Sequence, residues 1–185
     1  MKQTLLLFIL IIGLYSCAQK KENPAENKKL QNEISKMSDS ELLAFSNKLY
    51  DSGTESAKAL VTLEECVKRN INIGNSLYRL GNSYVEIGET EIGIKKFEES
   101  LKINPKNFKT YFNIAAVCYD TNQFEKSIIF YKKALEIEPK NDASYYGIAA
   151  SEYVLNKRKS SKENCEMALK LNPNNENAKW LMEKY

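Results

Sequence analysis

Hydrophobic and polar residues divide the chain into three parts. An apolar run extends from Leu5 to Ile12, and residues 18–38, which follow it closely, are polar and charged. From residue 39 onward apolar and polar residues are mixed, and the helix formers Leu, Lys, Glu and Ala dominate. Because strong helix formers prevail and the chain has only four Pro residues, this last part is predicted to be an all-α domain.

The helical part repeats with a period of 34 residues. A shift of the sequence against itself gives three consecutive units, 74–107, 108–141 and 142–175, which end in NPKN, EPKN and NPNN. Large, small and aromatic residues recur at equivalent positions of each unit. These positions hold Leu77, Leu80, Gly81, Tyr84, Gly93, Phe97, Ser100 and Pro105 in the first unit, Tyr111, Ile114, Ala115, Cys118, Ser127, Tyr131, Ala134 and Pro139 in the second, and Tyr145, Ile148, Ala149, Glu152, Ser161, Cys165, Ala168 and Pro173 in the third.

This pattern resembles the tetratricopeptide repeat (TPR), a helical hairpin that stacks on its neighbours. Three units in one phase distinguish it from the chance match of a single motif. The resemblance implies an all-α fold, a TPR helical-hairpin superhelix in the form of a right-handed α-solenoid. Residues 176–185 are expected to form a short capping helix, with Trp180 or Leu181 facing the last hairpin.

Small residues and prolines recur where hairpin packing requires them. An interior glycine costs a helix about 1 kcal/mol relative to alanine, so close packing between the two helices should offset that cost. The positions of closest approach are assigned to Gly81, Ala115 and Ala149 on the first helices and to Gly93, Ser127 and Ser161 on the second. The predicted helix ends are Gly88, Asn122 and Asn156, which tolerate a left-handed conformation, and Pro105, Pro139 and Pro173, which stop the second helices.

Residues 39–73 are predicted to be a degenerate TPR unit. Its second helix keeps the phase of the other units and places Cys66 at a core position, whereas its first helix, with Gly53 in the turn, fits one residue earlier. The offset implies one inserted residue near the turn. Terminal repeats are expected to be atypical because they cap the stack.

Residues 1–16 have the features of a lipoprotein signal peptide. Lys2 precedes an apolar run that is shorter than the roughly 20 residues needed to span a bilayer. The sequence Leu14-Tyr15-Ser16-Cys17 resembles a bacterial lipobox, and by that resemblance Cys17 becomes the lipidated first residue of the mature chain. The alternative is an ordinary signal peptide in which Cys17 is incidental. Residues 17–38 are predicted to be a flexible tether between anchor and folded domain.

Composition argues against several classes of function. The chain has no His and a net charge of +3, which disfavours imidazole-based catalysis, imidazole metal sites and nucleic-acid binding. It contains no glycine-rich phosphate loop, Cys-x2-Cys or G-x-S-x-G motif. We therefore expect no enzymatic activity, cofactor, metal site or small-molecule substrate. Cys66, Cys118 and Cys165 are expected to be buried thiols, and the alternative is a disulfide or a metal site.

The TPR resemblance also implies a binding groove on the concave surface, lined by the first helix of each hairpin. Carried onto this chain, its predicted members are Tyr78, Asn82, Val85, Lys109, Phe112, Tyr119, Tyr146 and Tyr153. Aromatic residues stand where the chaperone-binding members of the family place lysines that clamp a C-terminal carboxylate, so a chaperone tail is not the expected ligand. The aromatic groove suits an apolar or extended protein segment. The alternative is that these rings pack against one another or the cap and bind nothing.

The TPR resemblance and the predicted anchor together lead to one expected function. We expect a membrane-anchored protein–protein interaction module that serves as an accessory or assembly subunit of a bacterial envelope complex. Its expected location is the outer membrane, on the periplasmic face or the cell surface. A scaffold or regulatory lipoprotein for a neighbouring membrane protein is the alternative, and a hydrolase with an unrecognised site is a remote one.

Overall fold

The computed structural model describes residues 24–53 and 55–185. All regular secondary structure in these residues is α-helical, which confirms the predicted fold class. A boundary between Thr62 and Leu63 divides the chain into two compact units. The helices are α1 Pro24–Ile34, α2 Asp39–Ser52, α3 Ser56–Lys68, α4 Ile73–Glu86, α5 Thr90–Ile103, α6 Phe108–Asp120, α7 Phe124–Ile137, α8 Asp142–Val154, α9 Arg158–Leu171 and α10 Glu176–Met182.

The second unit, Leu63–Tyr185, contains three consecutive helical hairpins. Helices α4 and α5, α6 and α7, and α8 and α9 pack in pairs, and each hairpin contacts the next through its second helix. The first helices α4, α6 and α8 also touch in succession, and α10 covers the last hairpin by packing against α9 and α8. This arrangement is the predicted TPR solenoid.

Asparagine residues at the ends of the units cap the helices that follow. The side-chain oxygens of Asn107, Asn141 and Asn175 accept hydrogen bonds from backbone N–H groups three residues later, at 3.3, 2.8 and 3.0 Å. Because each cap satisfies a donor that the first helical turn leaves unpaired, the last residue of one unit fixes the start of the next hairpin.

The predicted helix ends are confirmed. Gly88, Asn122 and Asn156, which follow the first helices, have φ values of 87°, 59° and 58°, so the chain turns through the left-handed region at the same point of each hairpin. The second helices α5, α7 and α9 each end two residues before a proline, at Pro105, Pro139 and Pro173. The residue before each proline lies outside the helical region, with φ of −128°, −122° and −139°, as expected from the clash between a proline ring and a helical residue before it.

The predicted close approach of the two helices occurs in the first hairpin at Gly81 and Gly93. A Cβ atom on Gly81 would lie 2.6 Å from two carbons of the Phe97 ring, and a Cβ atom on Gly93 would lie 2.8 Å from the Gly81 carbonyl oxygen. Ala115, Ala149, Ser127 and Ser161 occupy the equivalent places of the other hairpins. All four are fully buried. The packing of the hairpin therefore explains a glycine in the middle of α4.

The three cysteines of the described residues are free and buried, which confirms their predicted state. Burial raises the pKa of the Cys118 thiol, and it raises the pKa of Cys165 to about 11. A thiol that stays protonated at neutral pH is a poor nucleophile and a poor metal ligand. Cys118 and Cys165 therefore act as small apolar side chains in the hairpin cores.

Part of the predicted tether is helical. Residues 17–38 were expected to be flexible, but Pro24–Ile34 within them form α1. Leu30 and Ile34, four residues apart and thus on one face of the helix, are only 6% and 2% exposed. The prediction was wrong there because two apolar residues at helical spacing suffice to bury one face of an otherwise polar segment. The predicted signal peptide 1–16 and Cys17 lie outside the described residues.

The turn between α2 and α3 contains the predicted insertion. Gly53 takes the left-handed conformation there, with φ of 63°, and α3 begins at Ser56. Two residues therefore separate the left-handed position from the next helix, whereas the three later hairpins have one.

None of the helices in the described ranges combines the length and the apolar character that crossing a bilayer requires.

Candidate partner-binding surface

The predicted groove residues lie on the three first helices. Helix α4 carries Tyr78, Asn82 and Val85, α6 carries Lys109, Phe112 and Tyr119, and α8 carries Tyr146 and Tyr153. Lys109 is exposed and the other seven side chains are partly buried. The aromatic positions repeat along helices that contact one another in succession, and the side of the solenoid that carries them is the first-helix face. Val85 packs instead against the buried cluster of Phe97, Ile114 and Cys118.

A hydrogen-bonded amide network occupies the α4 end of this face. The Asn113 side-chain nitrogen donates to the Tyr78 hydroxyl oxygen at 3.2 Å and to the Asn82 side-chain oxygen at 2.7 Å. The ring of Tyr78 packs against Phe97 of α5, with centroids 5.9 Å apart. The network ties α4 to α6 and fixes the orientation of Tyr78. Asn113 was absent from the predicted groove because it does not lie at one of the first-helix positions that the TPR resemblance assigns to the groove.

Three tyrosines meet at the middle of the face. Tyr131 of α7, 6% exposed, packs edge-on against Phe112 with centroids 5.3 Å apart. Burial raises the pKa of Tyr131, and the neighbouring Asp120, Tyr146 and Tyr119 raise it further. Burial also raises the pKa of Tyr146. The phenols of Tyr131 and Tyr146 therefore stay protonated at neutral pH, so the middle of the face offers neutral hydroxyl groups beside Asp120.

The third hairpin positions Tyr153 by contacts on two sides. Its ring meets Tyr185 edge-on, with centroids 6.0 Å apart, and the Arg158 guanidinium lies 4.2 Å from its centroid. The Tyr185 hydroxyl donates a hydrogen bond to Ser161 Oγ. Arg158 and Tyr185 were not among the predicted groove residues.

Trp180 extends the aromatic series by one further step. It lies 34 residues after Tyr146, in α10, whose Asn175 cap matches the asparagine caps of α6 and α8. Its side chain is 56% exposed, with the Lys184 ammonium 4.7 Å from the ring centroid. Of the two residues expected to face the last hairpin, Leu181 is buried and Trp180 is not. The 34-residue period could have identified Trp180 as a groove position.

The aromatic side chains of this face thus have two roles. The rings of Tyr78, Phe112 and Tyr153 each pack on a ring of a second helix or of the C-terminal segment, as the alternative interpretation required. The remaining part of each ring stays accessible because the rings are only partly buried. No group of three or more His, Cys, Asp or Glu suited to holding a metal occurs in the part of the chain that the structure describes.

Comparison with known proteins supports the repeat assignment. Tetratricopeptide repeat family models match residues 74–107 and 108–141. These matches cover the first two of the three hairpins. A search of the curated proteins finds no significant match to this chain.

Solved structures with a similar fold include several TPR proteins. A MamA fragment from Desulfovibrio magneticus RS-1, from its position 41 to the end, has a TM-score of 0.67 and 19% identity, over 73% of this chain and 76% of that one. YrrB, titled a TPR protein with an unusual peptide-binding site, has a TM-score of 0.67 and 13% identity, over 74% and 70%. The first TPR of Spaghetti (RPAP3), bound to the HSP90 peptide SRMEEVD, has a TM-score of 0.57 and 22% identity, over 60% and 88%.

These identities are low, so the likeness concerns the fold alone. The repeat matches, the helix pairing and the solved structures agree on that fold. The chain carries tandem tetratricopeptide repeats, and its helices form a TPR solenoid.

Proposed function

We propose that this protein is an interaction module that binds an extended segment of a partner protein along its first-helix face. The observation that carries the proposal is the series of partly buried aromatic rings at one position of successive first helices, held in place by the second helices. Fixed rings lose little conformational entropy when a ligand covers them, so they are effective anchors for a bound chain.

The chemistry of the face favours a neutral or apolar segment over an acidic C-terminus. Tyr78, Phe112 and Tyr146 supply ring surface where a carboxylate clamp would need lysine. Asn113 adds amide groups at one end, and the Tyr119 and Tyr146 hydroxyls add polar tips in the middle. A partner segment that alternates apolar side chains with exposed backbone polar groups would satisfy both kinds of surface.

Photo-crosslinking in intact cells tests the binding face. Phe112 is replaced by a photoreactive phenylalanine analogue, and the exposed Lys132 of α7 carries the same analogue in the control chain. We expect one dominant protein adduct from position 112 and none of it from position 132. Adducts that form only from position 132 would overturn the proposed face, because the rings would then serve packing alone.

We further propose that the chain is anchored to a bacterial outer membrane through lipidated Cys17 and acts as an accessory subunit of an envelope complex. Support comes from the apolar run, from the lipobox resemblance of residues 14–17 and from the interaction surface. An anchor raises the concentration of the module near membrane partners. Cys17→Ser should release the chain from washed membranes. A variant that remained fully bound would contradict lipidation, and the adduct from position 112 would identify the complex.

A further inference from the structure

The three turns that join first and second helices form a charged edge of the solenoid. The acidic turn, residues 86–92, contains Glu86, Glu89 and Glu91 and no basic residue. The middle turn, residues 120–126, is mixed. The basic turn, residues 154–160, contains Lys157, Arg158 and Lys159 and no acidic residue. Because the turns occupy equivalent places in successive hairpins, charge changes from negative to positive along one edge.

The charges at the two ends of this edge are not neutralised within the protein. All six residues are exposed, and the ion pairs of the described residues lie elsewhere. Helices α5 and α7 have an acidic residue in their first turn, but α9 has none and begins with the basic run. Positive charge at a helix N-terminus opposes the helix dipole, so this arrangement does not serve the stability of α9.

Exposed apolar side chains accompany the charges at both ends. Ile87 and Ile92 in the acidic turn are 51% and 40% exposed, and Val154 in the basic turn is 50% exposed. The middle turn has no large apolar residue exposed to this extent. Each end of the edge therefore has exposed apolar side chains, which are typical of interface cores, beside charges of a single sign.

We infer that this edge pairs with the same edge of a second copy of the chain, in antiparallel orientation. A two-fold axis through the middle turns places the acidic turn of each copy against the basic turn of the other, so both ends are matched at once. The isoleucines of one copy then meet Val154 of its partner. Parallel pairing would oppose acidic turn to acidic turn, and like charges disfavour it. Arg158 contacts the groove residue Tyr153, but none of the six charged residues is itself one of the predicted groove residues, so the inference does not rest on the proposed partner.

Cysteine crosslinking of the full chain in cell membranes tests the antiparallel register. A short bismaleimide is applied to chains that carry Glu125→Cys in the middle turn, or Glu89→Cys and Lys159→Cys on differently tagged copies. The native Cys66, Cys118 and Cys165 are buried, and the parent chain without an added cysteine controls for all native thiols. We expect two copies that carry Glu125→Cys to crosslink to each other. A copy with Glu89→Cys should crosslink to a copy with Lys159→Cys but not to another copy with Glu89→Cys.

Other crosslinking results would overturn the inference. Glu89→Cys that crosslinks to itself would mean parallel pairing. A link from Glu89→Cys to Lys159→Cys without the link between Glu125→Cys copies would mean a head-to-tail chain of copies. No link at any of the three positions would mean that the edge does not pair with itself.

Charge reversal tests whether opposite charges hold the pair together. In the Glu125→Cys background, Glu89→Lys with Glu91→Lys gives a chain with two basic turns, and Lys157→Glu with Lys159→Glu gives one with two acidic turns. Each variant alone should crosslink about tenfold less than the parent, and the two produced together should recover the crosslink. Circular dichroism establishes that both remain folded. An undiminished crosslink in either single variant, or no recovery in the mixture, would contradict the charge pairing.

Binding to an anionic membrane is the competing use of the basic turn. Full-length chain is mixed with vesicles that contain phosphatidylglycerol, or with neutral vesicles as the control. The inference predicts that Lys157→Glu with Lys159→Glu leaves vesicle binding unchanged. Loss of binding to the anionic vesicles alone, together with no crosslink at Glu125→Cys, would assign the basic turn to lipid and overturn the inference.

Discussion

The first and third hairpins follow the same 34-residue pattern but fill the space between their helices differently. In the first hairpin Gly81 and Gly93 let the two backbones approach, and the fully buried Phe97 ring packs over Gly81. In the third hairpin, Ala149 and Ser161 stand at the positions equivalent to Gly81 and Gly93. The Ser161 hydroxyl donates to the Ala149 carbonyl oxygen at 2.6 Å, and Cys165 stands in place of the ring.

The second hairpin explains the difference. Its Tyr131 ring occupies the Phe97 position but lies against Gly147 of the next hairpin, where a Cβ atom would overlap the ring. A glycine therefore occurs where each ring lies. For Phe97 it is Gly81 of the same hairpin, and for Tyr131 it is Gly147 of the next hairpin. Where Cys165 leaves no ring to accommodate, neither glycine is present. Because the space between the packed helices has to be filled, a large side chain at one repeat position requires a small residue where that side chain lies.

Removal of the Phe97 ring should produce the largest effect on stability. Phe97→Ala empties a fully buried site and should lower the free energy of unfolding by about 3–5 kcal/mol. Cys165→Ala at the equivalent place removes one sulfur atom and should cost only about 1 kcal/mol. Urea unfolding monitored by circular dichroism measures both changes. Equal losses would mean that the two hairpins do not differ in how they fill their cores.

Addition of a methyl group at Gly93 should have the next largest effect. Its Cβ atom would lie 2.6 Å from Val85 Cγ2 and 2.8 Å from the Gly81 carbonyl oxygen. Backbone atoms cannot move as freely as side chains, so Gly93→Ala should cost about 2 kcal/mol net, after a gain of about 1 kcal/mol in helix propensity.

Ser161→Ala is the matched change in the third hairpin. It removes two hydrogen bonds, the one that Ser161 donates to the Ala149 carbonyl oxygen and the one that it accepts from the Tyr185 hydroxyl, without adding volume. It should cost about 1–2 kcal/mol. Val85→Ala combined with Gly93→Ala should recover part of the loss, because it removes one of the two overlaps. Stabilisation by Gly93→Ala alone would show that the two helices are not confined at this point.

The comparison also shows what the sequence can predict. A 34-residue shift is enough to identify the hairpins, because small residues, left-handed Asn or Gly and prolines must recur wherever the same backbone recurs. A contact that occurs in only one repeat leaves no periodic pattern in the sequence. Asn113 bridges Tyr78 and Asn82 only in one hairpin pair, and Leu30 and Ile34 make a helix of a segment whose composition is otherwise typical of a tether.

Glu152 is another contact made once, and its removal should have a smaller effect. It occupies the pattern position of Tyr84 in the first hairpin and is 6% exposed. Its carboxylate accepts hydrogen bonds from Ser160 Oγ at 2.6 Å and the Asn164 side-chain nitrogen at 2.9 Å. Glu152→Ala leaves both donors without this acceptor and should cost about 1–2 kcal/mol.

Glu152→Gln is the matched control, since its amide oxygen still accepts one hydrogen bond and should preserve about half of that free energy. Thermal unfolding of the two variants measures the difference. A glutamine variant less stable than the alanine variant would show that the site requires a charged carboxylate rather than an acceptor.

The smallest expected difference between the two hairpins is in their response to alkaline pH. Burial raises the pKa of Cys165 from 9.0 to about 11. Burial and the hydrogen bond to Glu64 raise the pKa of Tyr84 from 10.0 to about 12. In each case the folded state keeps a proton that the unfolded chain has lost. The stabilisation is therefore complete below the lower value and is lost as pH rises toward the higher one.

The two contributions should disappear in pH ranges that overlap but begin at different values, 9.0 for Cys165 and 10.0 for Tyr84. The parent chain should lose stability from pH 9.0 to about 11 through Cys165, and Cys165→Ala should lose less there. Tyr84→Phe should reduce the loss only in the later range, from 10.0 to about 12. Urea unfolding at a series of pH values measures both slopes. If Cys165→Ala had the parent slope below pH 10.0, where the ordinary tyrosine pKa lies, the thiol would be solvated in the folded protein, and the third hairpin core would be open where the first is closed.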